Sequence, residues 1–183
     1  MLEEMIITHC APTLAGMKTA NLFNYKIESE LHLNREIASV NEKLNIKGVS
    51  VDILKISENR ALIYVYRKHK LLLDLMQPEA RNVLKAIGYQ GVSVEESLDQ
   101  LKDRIAVSDD FPHEIGLFLN YPVQDVLGFI EQKGKNFKYS GLWKVYGNEN
   151  EAIKLFAKFK KCTKIYAQVF ANGRSLTQLT VAA

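Results

Sequence analysis

The apolar positions divide the chain into stretches of different period. Leu2, Met5, Ile6 and His9 recur at helical spacing until Pro12 interrupts them, which predicts a short N-terminal helix followed by a loop over residues 10–18. Residues 21–27 read as a strand. Ile27, Leu31, Ile37, Val40 and Leu44 then mark one face of a helix that Gly48 stops. Residues 49–56 and 61–66 are β-branched and aromatic runs separated by the polar Ser57-Glu58-Asn59-Arg60, the pattern of an antiparallel hairpin.

From residue 68 to residue 133 the period is helical. Pro78 stands where a first-turn proline belongs, Ala80, Val83, Leu84 and Ile87 form a stripe, and Gly88 ends it. Ser93 and Glu96 make a capping box ahead of Val94, Leu98, Leu101 and Ile105, and a further helix runs from Pro122 to Gly134. The last third reads strand, helix, strand: residues 141–146, then a helix capped by Asn148 and ending at Lys160-Lys161, then an alternating run over 163–171. If the two strands are parallel neighbours, their crossover is right-handed. The expectation is a single α+β domain over residues 1–183. Its mixed sheet has four or five strands drawn from 20–26, 49–66, 141–146 and 163–171, and the helical block 68–133 covers one face.

A chain of 183 residues buries roughly 70% of its unfolded surface, enough for one substantial core. With 10 Gly and 4 Pro it is no linker or low-complexity segment. Two cysteines, Cys10 and Cys162, are too few for a disulfide scaffold and suit a reducing compartment. The acids Glu3 and Glu4 stand where an export signal carries positive charge, and no run reaches the roughly 18 apolar residues of a membrane span. A cytoplasmic protein with no membrane partner is expected.

The net charge of +3 argues for no partner, but its distribution does. Residues 133–164 hold nine lysines and two acids, a surplus of +7 that leaves −4 for the rest of the chain. Phe137, Tyr139, Trp143 and Tyr146 are interleaved with those lysines. Together they suit an acidic protein or a flat anionic ligand, with Trp143, Lys158, Lys160 and Lys161 as contacts, better than a nucleic acid.

Two stretches carry residues of catalytic type. In His9-Cys10-Ala11-Pro12 an imidazolium beside a thiol would favour the thiolate, the form that attacks electrophiles. In Pro112-His113-Glu114 a proton donor or ligand opens a helix, where N–H groups and the dipole attract anions. Cys10 as thiol, His113 and Glu114 as acid/base groups, and His9, Lys135 and Asn136 as anion contacts make a thiol-dependent enzyme or metal protein the second reading. The pattern completes no known machinery. Gly16 stands where a cysteine phosphatase has arginine, Phe129 where a phosphate loop ending at Gly134-Lys135 has glycine, and no zinc-ligand spacing is present, so neither a metal nor a cofactor is assigned.

His-Cys-Ala-Pro-Thr-Leu-Ala-Gly at 9–16, Asn-Leu-Phe at 21–23, Phe-Pro-His-Glu-Ile-Gly-Leu-Phe-Leu at 111–119, Gly-Lys-Asn at 134–136 and Trp-Lys-Val-Tyr at 143–146 resemble a bacterial domain-of-unknown-function family of this length. The resemblance runs nearly end to end. It implies an anaerobic, iron- or redox-linked setting and a flavodoxin-like acidic partner, and it brings no activity. Thr19 departs from the proline expected at that place, which bears on the rigidity of the first loop.

Overall fold

The computed structural model describes residues 1–107 and 111–182. Helix α1 (Leu2–Leu14) runs through Pro12 instead of stopping before it, so Cys10 and the four residues after it are helical, not a loop. Proline lacks the N–H that would bond the carbonyl four residues back. Here that carbonyl belongs to Thr8, on an exposed turn open to water. The last turn is completed from outside: the buried Arg67 donates from Nε to the Thr13 carbonyl and from Nη2 to that of Leu14, both at 2.7 Å. Gly16, at φ +72°, then reverses the chain in a conformation that costs glycine little.

Strand β1 (Ala20–Lys26) follows, then helix α2 (Glu30–Leu44), whose N-cap Ser29 accepts from the His32 N–H. Strands β2 (Val49–Ser57) and β3 (Arg60–Arg67) form the expected hairpin. The sheet order is β1-β3-β2 with both pairs antiparallel. On the central strand Ala61, Ile63 and Val65 face one core while Tyr64 and Tyr66 face another, so both sides of the sheet are buried. Leu54 has no partner in the ladder. It is the extra residue of a bulge, and it joins the second core while Ile53 and Ile56 stay on the first.

The first core gathers α1, α2 and the later α9 (Leu176–Leu179) on one side of the sheet. The expected helical block covers the other as α3 (Lys68–Met76), α4 (Pro78–Ala86), α5 (Val94–Val107), α6 (Ile115–Phe118) and α7 (Val123–Glu131). Tyr64, fully buried between sheet and helices, donates its hydroxyl to the Phe118 carbonyl at 2.5 Å.

The final third corrects the sequence reading. Strands β4 (Tyr139–Ser140) and β5 (Lys144–Val145) pair only with each other, and residues 163–171 lie within helix α8 (Glu149–Ala171). Among the described residues the principal sheet therefore has three antiparallel strands, not four or five mixed ones, and there is no parallel crossover. The alternation at 163–171 was accidental: Ile165 and Ala167 are exposed. The stripe that decides the matter is Ala152, Phe156, Phe159, Cys162, Tyr166 and Val169, spaced at three or four residues along one helix face. Trp143 and Val145 of the small hairpin pack on that helix with Phe156 and Phe159 as a third core. No helix among the described residues is long and apolar enough to cross a membrane.

Candidate functional site

The segment between α1 and β1 is pinned at several points. The Met17 and Lys18 N–H groups return to the Pro12 carbonyl, Lys70 Nζ donates to the Gly16 carbonyl, and Thr19 Oγ1 donates to Asp74 Oδ2, which also accepts from Asn120. Thr19 thus fixes the segment by its hydroxyl. This anchoring drives Lys18 inward until only 6% of its surface is exposed.

Lys18 is the most unusual charge in the molecule. Among the described residues its ammonium makes no hydrogen bond or ion pair, and its contact is the ring of Tyr121, 5.2 Å from Nζ to the centroid. Burial pulls its pKa down to about 8, against the ordinary 10.5. It lines a cavity of about 400 Å³ whose walls include His9, Pro12, Asn21 and Leu142, with Lys160 and Lys164 one turn apart on α8. Thr13 donates to Asn21 Oδ1 at 2.8 Å and so orients that amide. Every charged side chain lining this cavity is basic.

A second cavity, about 430 Å³, lies beyond Leu142, which walls both. Its lining is aromatic and aliphatic, with Tyr121, Phe129, Trp143 and Phe111 prominent and His113 and Lys144 at its polar positions. Buried Asp125 sets this geometry. One carboxylate oxygen accepts from Trp143 Nε1 at 2.8 Å, and the other from the N–H groups of Tyr146 and Gly147 at 2.8 and 2.7 Å, fastening the small hairpin to α7. Trp143 is then held between Tyr121, stacked at 4.4 Å, and Phe156, edge-on at 4.4 Å. Gly128 lets the hairpin approach, since a Cβ there would lie 2.5 Å from Tyr146 Cγ. Lys144 donates to the Gly134 carbonyl at 2.7 Å and lies over the Phe129 and Phe137 rings.

The residues singled out in the sequence are only partly brought together. His9 and Lys160 line the basic cavity, and His113 and Trp143 line the aromatic one, where His113 meets Phe129 edge-on. Cys10 lies fully buried in the first core, lines neither cavity, and shares no pocket with His113. Burial pushes its thiol well above the ordinary range, more than the nearby charge of Lys18 lowers it. The neighbouring imidazole gives Cys10 no help, because His9 is exposed and stacks on Phe23 at 5.2 Å.

Glu114 is buried and taken up by Arg104 and the Tyr89 hydroxyl, and helix α6 begins only after it, spanning four residues. Lys135 and Asn136 sit on an exposed turn outside both cavities, with the Lys135 carbonyl accepting from the Tyr146 hydroxyl. Lys158 and Lys161 are exposed on α8 outside the basic cavity. No three His, Cys, Asp or Glu side chains among the described residues cluster as metal ligands.

The sequence reading missed Lys18, Asn21, Asp125 and the wall residue Leu142. A signal for Lys18 was present: a lone lysine between Met17 and Thr19, next to the buried start of a strand. Asp125 likewise interrupts the apolar run Val123, Val126, Leu127.

A family model described as protein of unknown function (DUF3793) matches residues 6–180. No curated protein matches, and no solved structure does.

Proposed function

The chain belongs to the DUF3793 family, and from that premise we propose that it binds a small ligand with a flat body and an anionic group. The flat body enters the aromatic cavity, and the anion lies in the basic one. One observation carries this reading: Lys18 is buried without a counter-ion, against the same Tyr121 that walls the aromatic cavity. The Nζ of Lys18 is not sealed from solvent, since no buried side-chain nitrogen or oxygen among the described residues lacks a partner; the partial loss of hydration costs about 3 kcal/mol at most, and an anion brought to it offsets that cost. The aromatic walls supply stacking surface, and Lys160 and Lys164 add charge at the mouth. Since Lys158 and Lys161 lie outside the cavity, a small anion fits this arrangement better than a broad acidic protein surface.

Flavin mononucleotide, riboflavin and inorganic phosphate separate the two halves of the reading. The single tryptophan, Trp143, lines the site, so its fluorescence reports binding directly. Flavin mononucleotide should quench it and bind about tenfold tighter than riboflavin, a phosphate increment of ~1.4 kcal/mol. That increment should shrink in 0.5 M salt and vanish in Lys18→Met, at salt where a screening length of only about 4 Å remains. Equal affinities for the two flavins, or no quenching by either, would overturn the reading.

A further inference from the structure

Lys18 has the surroundings of a nucleophilic amine. Its side chain leaves the pinned segment before β1 and ends in a cavity roofed by α8, and its ammonium has no carboxylate partner among the described residues. The ionisable groups facing it are His9 and Cys10 from α1, Lys160 and Lys164 from α8, and Tyr121. None of these is an anion at neutral pH, since the Cys10 thiol and the Tyr121 hydroxyl both stay protonated under burial. A lysine desolvated by burial is held towards the neutral amine, the form with a lone pair to donate.

We infer that Lys18 captures its ligand covalently, its amine condensing with the carbonyl of an anionic aldehyde or ketone to form an imine. The inference rests on the ligand-binding reading above for its anion subsite and adds the chemistry of the bond. The Nζ lone pair attacks the carbonyl carbon, forming the C–N bond as the C=O electron pair moves to oxygen. Proton transfer from nitrogen to oxygen gives the carbinolamine. A second proton on that hydroxyl lets it leave as water, and the nitrogen lone pair closes the C=N bond. No oxidant or reductant is consumed. His9, which lines the same cavity, is the residue placed to pass these protons, while Lys160 and Lys164 hold the anionic group. The amine is half neutral near pH 8, so condensation is available at physiological pH, unlike at an ordinary surface lysine.

Pyridoxal 5′-phosphate, an aldehyde on a flat ring bearing a phosphate, is the probe. Protein is incubated with it at pH 7.5, reduced with borohydride and mapped by mass spectrometry. Lys18 should carry the phosphopyridoxyl group ahead of every other lysine. Marking should fall in parallel with amine protonation from pH 8.5 to pH 6.5, and inorganic phosphate should slow it. Lys18→Arg should form no imine chromophore, whereas Lys158→Gln outside the cavity should behave as wild type. Marking spread over Lys160, Lys164 and exposed lysines with Lys18 unmodified overturns the inference. If pyridoxamine 5′-phosphate and flavin mononucleotide still bind in that case, the covalent step alone falls, and if they do not, the binding reading falls with it.

Discussion

The ammonium of Lys18 stands 5.2 Å from the centre of the Tyr121 ring. A ring face attracts a cation, but by about 0.5–2 kcal/mol, less than the charge loses on leaving water. The pair is therefore a net strain on the free protein, and its consequences can be measured without knowing the ligand.

Lys18→Met should stabilise the protein at pH 7. The folded pKa of about 8 lies below the ordinary 10.5, so the unfolded chain holds a proton that the folded one gives up between those values. Wild-type stability accordingly rises with pH from 8 to 10.5, and the full penalty, up to about 3 kcal/mol, is present below pH 8. Urea midpoints should favour the variant at pH 7 and converge with wild type above pH 10.5. A destabilised Lys18→Met at pH 7 would show that the cation is satisfied where it sits.

Cys10 should behave as a core residue. Its burial and raised thiol pKa leave little thiolate, so iodoacetamide should modify it only when urea opens the first core. Cys10→Ala should retain flavin mononucleotide binding. Rapid alkylation of Cys10 in the native protein would restore the thiol-centred reading.

Asp125→Ala removes the acceptor of three hydrogen bonds and leaves Trp143 Nε1 and the N–H groups of Tyr146 and Gly147 without it. The cost should be about 3 kcal/mol or more, with the hairpin loosened from α7. The emission of Trp143 should move to the red as the indole gains water, and an unchanged spectrum would contradict the role assigned to this carboxylate.

Arg67→Met should cost a similar amount, about 3 kcal/mol, because the carbonyls of Thr13, Leu14 and Val181 lose a buried donor. Hydrogen exchange should rise at Gly16–Thr19 before it rises in the sheet. Uniform exchange across both would refute local anchoring.

The elements that rest on strong local signals were legible: helix α2 and its stop at Gly48, the hairpin of β2 and β3, the Ser93–Glu96 box and Pro78, though the buried face of α2 carries Leu33 and not the exposed Leu31. Errors arose where a tertiary partner overrides a local rule. Pro12 reads as a helix stop, but the Thr8 carbonyl it leaves without a partner is open to water, and the distant Arg67 caps the carbonyls of the last turn beyond it. The run at 163–171 satisfies a period of two by chance, and burial against α1 selects the helix. The site was half legible for the same reason. The basic, aromatic character of residues 133–164 was visible, but the residue that gives the basic cavity its unpaired charge comes from position 18, more than a hundred positions away.

The guanidinium of Arg67 also reaches the Val181 carbonyl at 2.8 Å, and the Val181 N–H donates to the Leu14 carbonyl at 3.0 Å. Helix α1 and the segment that follows α9 are thus fastened at one knot, immediately upstream of Gly16–Thr19. Whatever displaces Val181 tugs on the tether that aims Lys18. That residue is therefore a remote handle on the depth at which the amine is held.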